Sequence, residues 1–212
     1  MELNPAELKA SELNRIILGT VVPRPIAWVS TINAQGQPNL APFSFFNAVC
    51  TRPPTLLFCP GIRSLDGGVK DTLNNIRATG EYVINVVTEA TAEAMNRTAT
   101  ELPAEVNEFE FGGVTPAASV VVRPARVAES PVNFECQLRQ IVEIGDGKPG
   151  SGWIVIGEIV HLHVADAVLL PDYKIDIRAL QPVGRLAGYG YAHITDTFEM
   201  KRLPPQIPIK KP

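Results

Sequence analysis

The most constraining feature of the sequence is a pair of long strand-like segments, residues 132–144 and 153–164, joined by the turn GDGKPGSG. A glycine-rich and proline-containing turn between two such segments is typical of an antiparallel β-hairpin. In the first segment Phe134, Cys136 and Leu138 alternate with their neighbours and are expected to face inward. Elsewhere helical patterns do not alternate regularly with strands, which disfavours a parallel doubly wound sheet. A closed antiparallel barrel with helices outside is expected.

The other predicted elements are short, because 19 prolines interrupt the 212 residues. The loop-like segment 99–118 is expected to pack on the barrel or against a partner, and the tail from Leu180 is expected to be irregular. Short strands are predicted at residues 26–31, 40–47, 55–59, 82–87 and 119–122. Helices are predicted at residues 5–18, at 71–77 with Gly80 as the stop signal, and from Thr88 or Thr91 through 97.

The segment from Leu40 to Asn47 is an unusual second half of a hairpin, because it combines a proline, small residues and three phenylalanines. Proline removes a donor from the strand ladder and is confined to edges, bulges and turns. The strand should therefore bend or break and expose its backbone, and a flat, partly polar ring is one candidate for the ligand that would contact it. The alternative is an ordinary hairpin whose aromatic side chains fill the core. Strict alternation would place Phe43 and Phe45 on one face and Phe46 on the other, unless Pro42 causes a bulge.

Composition excludes several classes of function. The net charge of −3 provides no basic field for nucleic acid or a membrane surface. The N-terminus lacks the pattern of a signal peptide, and no segment is long and apolar enough to span a bilayer. The cysteines, which form no CxxC pair, indicate reduced thiols and a cytoplasmic protein. They are Cys50, Cys59 and Cys136.

The start of the second predicted helix indicates an anion site. Free backbone N–H groups at a helix start favour an anion, and Lys70 and Thr72 add a positive charge and a hydroxyl group. Arg63 and Ser64 lie in the loop that precedes this helix. The alternative is that Asp71 only caps the helix and that Lys70 is solvated.

Two of the three histidines, His161 and His163, would share one face of a strand, with His193 elsewhere in the chain. That spacing suits a pair of metal ligands, but no carboxylate or cysteine cluster in the sequence has the spacing of further ligands. Hydrogen-bonded histidines and no metal are therefore expected. Neither GxSxG, nor a Walker loop, nor GxGxxG after a strand occurs. With no visible acid, base or nucleophile, an enzyme of this sequence would rely on a cofactor.

Several motifs taken in order resemble the flavin reductase-like, FMN-binding split-barrel family over roughly residues 20 to 200. They are RPIAWVST, the turn with Gly36, NLAPFSFFN, KDTLNNI, GEYVIN, GEIVHLHV and GRLAGYGY. The resemblance implies a mainly β, six-stranded antiparallel split barrel with peripheral helices, as a single domain over residues 1–212. It also implies a homodimer with FMN near the subunit interface, which takes electrons from NAD(P)H and often supplies a separate oxygenase.

The resemblance also implies the site residues. Ser30, Thr31, Ala41, Pro42, Phe43, Ser44 and Phe45 match the segment lining the isoalloxazine, and Asn47 matches a position near the ribityl chain. Ser64, Lys70, Asp71 and Thr72 match the phosphate end. Arg185 and Tyr191 match the tail motif that closes the pocket, although RLAG stands here where RLGG is common in the family.

Three functions remain open on the sequence alone. The first is an NAD(P)H-dependent flavin reductase, in which the protein stacks the rings and places donors at the flavin N1–C2=O edge while the flavin carries the reaction. The second is a non-enzymatic FMN electron carrier. The third is a barrel that binds another ligand, such as haem. In a flavin reductase, His161 and His163 could act on the nicotinamide side of the site.

Overall fold

A computed structural model describes residues 1–63 and 66–204. The α-helices of this part of the chain are α1 (Ala10–Thr20), α2 (Asp71–Thr79), α3 (Ala92–Arg97), α4 (Glu108–Gly112) and α5 (Ile177–Leu180). The strands are β1 (Ala27–Ile32), β2 (Pro38–Phe43), β3 (Phe46–Thr51), β4 (Pro54–Phe58), β5 (Glu81–Val86), β6 (Pro116–Ala117), β7 (Arg126–Val127), β8 (Val132–Ile144), β9 (Gly152–Val164), β10 (Leu169–Leu170), β11 (Lys174–Ile175), β12 (Val183–Arg185) and β13 (Tyr191–His193). Short 3₁₀ turns occupy Pro5–Glu7, Glu89–Thr91, Asp166–Val168 and Pro171–Tyr173.

One antiparallel sheet dominates the described residues, with the strand order β2-β1-β5-β8-β9-β4-β3. Its longest pairing is the β8–β9 hairpin, in which Val132 lies opposite Val164 and Ile144 lies opposite Gly152. The hairpin predicted from the sequence is therefore confirmed, as is the mainly β fold class. No helix in residues 1–63 and 66–204 is both long and apolar enough to cross a membrane.

The two edges of this sheet meet where β2 passes into β3. These are the edge strands, yet β2 ends at Phe43 and β3 begins at Phe46. Three residue steps reach at most about 11 Å, so the sheet must curl until its edges are that close. The result is a barrel that is split at Ser44 and Phe45. The predicted break in the segment 40–47 is confirmed. Because the break divides this segment into β2 and β3, the sheet has seven strands, whereas an unbroken segment would give the expected six.

The break also decides the positions of the three phenylalanines. Phe43 is buried and Phe46 packs against the same core, which includes Phe58, whereas Phe45 is 45% exposed. The face assignment expected from strict alternation is therefore wrong. Alternation holds only within one continuous strand, and Ser44 and Phe45 belong to neither β2 nor β3.

The helices cover the barrel largely as expected. Helix α2 buries Leu73 and Ile76 and ends at Gly80, whose positive φ of 71° stops the helix. The segment 99–118 contains the short helix α4 and packs on the barrel, where the backbone N–H of Leu40 donates to Glu108. Helix α1 differs from the others in burying none of its residues within the chain.

One predicted strand, residues 119–122, is wrong. This segment is a bend whose N–H groups from Val120, Val121 and Val122 donate to the carboxylate of Glu135. A side chain thus takes the backbone donors that a strand would have used. The same contact explains why Glu135 is fully buried on the face of β8 opposite Cys136.

Candidate functional site

A small polar cleft lies between the end of β2 and the start of α2. Its volume is about 70 Å³. The residues that line it include four from β2, together with acidic and basic side chains from other segments. They include Asn39, Ala41, Pro42, Phe43, Arg63, Lys70, Asp71, Thr72, Glu101 and Glu108. The cleft therefore gathers six of the predicted site residues with eight others.

The polar groups of this cleft form pairs. The ammonium group of Lys70 lies 2.5 Å from Glu101, and the guanidinium group of Arg63 lies 3.0 Å from Asp71. The buried amide of Asn39 donates to the hydroxyl of Thr72 at 2.9 Å. Asp71 and Thr72 form the first turn of α2, whose N–H groups have no acceptor within the helix. An anion here would meet backbone donors and two cations that are already engaged by carboxylates.

Glu108 gives the polar cleft a group that titrates near neutral pH. Burial raises the pKa of Glu108 to about 7; the charge of Asp71 acts in the same direction, while hydrogen bonds from backbone N–H groups, including that of Leu40, oppose the rise. The cleft therefore carries less negative charge below neutral pH than above it.

A larger apolar cleft lies on the other side of the split. Its volume is about 560 Å³, within the range typical of small-molecule pockets. It is lined mainly by apolar side chains and by the turn that precedes β9. The lining includes Leu18, Pro42, Phe43, Ser44, Phe45, Cys59, Pro60, Ile144, Ser151, Trp153 and Ile154.

Trp153 adds an unpaired donor to this wall. Its indole N–H is buried and has no acceptor among the described residues. An unpaired buried donor is costly, so an acceptor supplied by a ligand would be favourable. The guanidinium group of Arg77 lies over the same ring, 5.3 Å from its centroid. The indole ring of Trp153 therefore gives this wall a flat aromatic surface.

Pro42 and Phe43 line both clefts. The end of β2 therefore separates a polar, charged compartment from an apolar one at the split of the barrel. A ligand with a flat ring at one end and an anionic group at the other would match this arrangement.

Five of the predicted residues lie outside the walls of the two clefts. Ser30 and Thr31 are buried in β1, where Ser30 donates to the carbonyl of Ala125 and Thr31 accepts from Asn75. Asn47 is exposed on β3. Arg185 and Tyr191 pair with each other across β12 and β13. Ser64 falls outside the described residues.

Arg24 links the tail to the split. Its side chain is nearly buried, donates to Ser44 at 3.4 Å and donates to the carbonyl of Leu186 at 2.9 Å. Arg185 exchanges two backbone hydrogen bonds with Arg24. The tail motif thus supports the segment that borders the apolar cleft without itself lining it.

Sequence reasoning missed many residues of the clefts, among them Asn39, Glu101, Glu108 and Trp153. Asn39 had a local signal, because it lies two residues before Ala41 and shares its strand face. Glu101 and Glu108 come from a segment without periodicity, so their positions depend on tertiary packing. Trp153 has the pattern of an ordinary core residue.

The histidines lie in a separate cluster and at the surface. His163 lies 2.6 Å from Glu135, and His193 lies 2.6 Å from Glu89, which confirms the expectation of hydrogen-bonded histidines for these two. Burial by itself would raise the pKa of Glu135, but His163 and three backbone donors hold it at about 2. His161 stacks edge-to-face on His163, with ring centroids 4.8 Å apart.

Comparison with known proteins supports the assignment of the fold. The flavin reductase-like domain family matches residues 18–180. An uncharacterized protein of Halalkalibacterium halodurans is 42% identical over 204 residues, covering 95% of this chain and 96% of its own length. Component B of nitrilotriacetate monooxygenase from Bacillus cereus is similar in structure, with a TM-score of 0.89, 32% identity and coverage of 94% and 98%.

A Shewanella frigidimarina protein with a split barrel domain has a TM-score of 0.79 and 25% identity, and the match covers 96% of this chain and 98% of that one. This similarity agrees with the curled sheet and with the break between β2 and β3. The chain belongs to the flavin reductase-like domain family.

Proposed function

We propose that this protein is an NAD(P)H-dependent flavin reductase that binds FMN at the split of its barrel. The observation that carries the proposal is the wall formed by Pro42 and Phe43, which is common to the polar and the apolar cleft. FMN has a flat ring system at one end and a phosphate at the other. Family membership supports the same ligand class.

The phosphate would be held at the start of α2. The N–H groups of Asp71 and Thr72, the hydroxyl of Thr72 and the ammonium group of Lys70 are the donors available there. A helix N-terminus with a nearby cation is a general anion-binding arrangement. Arg63 adds a second positive charge in the same cleft.

The ring system would lie in the apolar cleft, against Phe43, Phe45 and Trp153. The bound flavin supplies the redox chemistry by accepting a hydride from the nicotinamide. The protein would hold the ring against these aromatic side chains and exclude water. The backbone N–H groups of Ser44 and Phe45, which belong to neither β2 nor β3, would be donors to the ring edge.

We propose further that the chain acts as a cytoplasmic homodimer and passes electrons to a separate oxygenase. The homodimer is supported by α1, which buries no residue within the chain and leaves Ile16 and Ile17 about 40% exposed. The oxygenase partner is supported by the similarity to a monooxygenase component B, and the cytoplasm by three free cysteines. Sedimentation velocity tests the dimer, and a single monomeric species at micromolar concentration would contradict it.

A comparison of FMN with riboflavin tests the two-compartment site. Riboflavin has the same ring but no phosphate, so its binding should be at least about tenfold weaker if Lys70 and the start of α2 hold the phosphate. Quenching of flavin fluorescence during titration of flavin-free protein measures both affinities. Equal affinities would contradict the placement of the phosphate in the polar cleft. If neither flavin bound, the proposed function would be rejected.

A further inference from the structure

Three side chains near the far end of the β8–β9 hairpin converge on one point. Glu135 lies directly opposite His161 in the strand register, and His163 follows two residues later on the same face of β9. One ligand atom from each of the three residues lies within 4.8 Å of the other two. We propose that Glu135, His161 and His163 bind a divalent transition-metal ion of the zinc class.

The distances need only small changes to accept such an ion. Tetrahedral ligands about 2.0–2.1 Å from a metal lie about 3.3 Å from one another. The imidazole of His163 and the carboxylate of Glu135 are now 2.6 Å apart, which is a hydrogen-bond distance. A metal ion would replace the shared proton, and the distance between these two atoms would increase by less than about 1 Å. Rotation of His161 about its side-chain bonds would bring it into contact.

One acceptor position of the Glu135 carboxylate, the one used by His163, could be given to a metal ion without loss of the others. A carboxylate has about four acceptor positions. Val120, Val121 and Val122 fill three of them with backbone N–H groups, and His163 takes the fourth. Exchanging the His163 proton for a metal therefore costs no backbone hydrogen bond. Such donors behind a ligating carboxylate are a usual feature of metal sites, because they fix its orientation.

His161 has a ring that is available for coordination. It makes no hydrogen bond within the described chain, and its contact is the edge-to-face packing on His163. Two imidazoles and one carboxylate form a ligand set suited to zinc and its neighbours in the first transition row. His163 also lines a cavity of about 430 Å³ that is open to solvent, which gives an ion a route to this ligand.

This cluster is distinct from the proposed flavin site. Trp153 of the apolar cleft and His163 are ten residues apart on β9, which corresponds to roughly 30 Å along the strand. The inference therefore does not rest on the proposed function. A metal at this position would join β8, β9 and the segment that contains Val120 to Val122.

Metal titration of chelator-treated, full-length protein tests the proposal. Zinc binding is measured by competition with a chromophoric chelator, and cobalt binding is measured by the visible absorption typical of four-coordinate cobalt. The expected result is about one equivalent of either ion per chain with micromolar or tighter affinity. His161→Gln should weaken binding by at least about tenfold. This variant removes a side chain without a hydrogen bond, so its fold should be intact.

His193→Gln is the matched control, because His193 also lies 2.6 Å from a glutamate but has no second histidine beside it. Its metal affinity should equal that of the unmodified protein. Absence of stoichiometric binding would overturn the proposal. So would unchanged affinity in His161→Gln, or an equal loss in both variants.

Discussion

The ammonium group of Lys70 lies 2.5 Å from a carboxylate oxygen of Glu101 in the wall of the polar cleft. The cation that we assign to the FMN phosphate is therefore already paired with a carboxylate of the chain. A bound phosphate would compete with Glu101 for Lys70, and part of the phosphate contact would replace an existing ion pair. In the proposed site, the affinity for FMN would thus depend on groups from both the start of α2 and the segment before α4.

Replacing Lys70 with alanine should weaken FMN binding. A charge-assisted hydrogen bond contributes about 1.5–3 kcal/mol, which corresponds to roughly a 10- to 150-fold rise in the dissociation constant. Fluorescence titration measures the change. Lys174→Ala is the control, because Lys174 is an exposed lysine on β11. Equal FMN affinities in the two variants would exclude Lys70 from the site.

Phe45→Ala should reduce FMN affinity without loss of stability. Phe45 is 45% exposed and lines the apolar cleft, so it adds little to the core. Its contact with a flavin ring would contribute about 1–2 kcal/mol, which corresponds to roughly a 5- to 30-fold loss of affinity. The control is Phe198→Ala, which alters a phenylalanine that is 84% exposed in the tail. An unchanged dissociation constant in Phe45→Ala would place the ring elsewhere.

Glu108→Gln should stabilise the protein at alkaline pH. The pKa of Glu108 is raised from 4.5 to about 7, so the folded chain holds this proton more tightly than the unfolded chain does. Stability therefore falls as the pH rises through this interval, and the full penalty applies above about pH 7. Because the side chain is partly solvated, we expect a gain of about 1 kcal/mol in the variant, or about 2–4 °C in melting temperature at about pH 8.

The gain should largely disappear at about pH 5, where the native carboxyl group is protonated. Thermal unfolding followed by circular dichroism at both pH values measures it. Glu105→Gln, which alters an exposed residue of the same segment, should change stability little at either pH. A gain of equal size at both pH values would contradict the assigned titration.

Glu135→Gln should destabilise the fold even when no metal is bound. The carboxylate accepts from three backbone N–H groups and from His163, and an amide cannot accept from all four. The loss of a buried charge with several donors costs about 3 kcal/mol. Urea unfolding in the presence of a chelator measures it.

Glu89→Gln breaks a similar histidine contact at the surface and should cost less than about 1 kcal/mol. Equal losses of unfolding free energy in the two glutamine variants would show that the hydrogen bonds from Val120 to Val122 do not stabilise the fold.

The sequence predicts those parts of the fold that depend on local patterns. Alternation and a glycine-rich turn locate β8 and β9, and proline with small residues locates the split near Ser44. Alternation fails for Glu135, because its burial depends on a segment 13 to 15 residues earlier that folds back over β8. The segment around Val120 has the composition of a strand, which does not reveal that a side chain accepts its N–H groups.

The candidate site shows the same division. Lys70 to Thr72 are detectable because a helix start has a local signal. Glu101 and Glu108 reach the polar cleft from a segment without periodicity, and their side chains are positioned by packing against β2. The proximity of the polar and apolar clefts follows from the curl of the whole sheet, which no local pattern contains.

Anaerobic mixing of FMN-loaded protein with NADH, and separately with NADPH, tests the central claim most directly. Rapid-mixing absorption spectroscopy follows the visible band of oxidised flavin. If the protein is a flavin reductase, at least one nicotinamide should bleach this band faster than it bleaches free FMN, and Lys70→Ala should lower the fraction of flavin that reacts at a fixed FMN concentration. Bleaching by neither nicotinamide would contradict the account and would leave a flavin carrier.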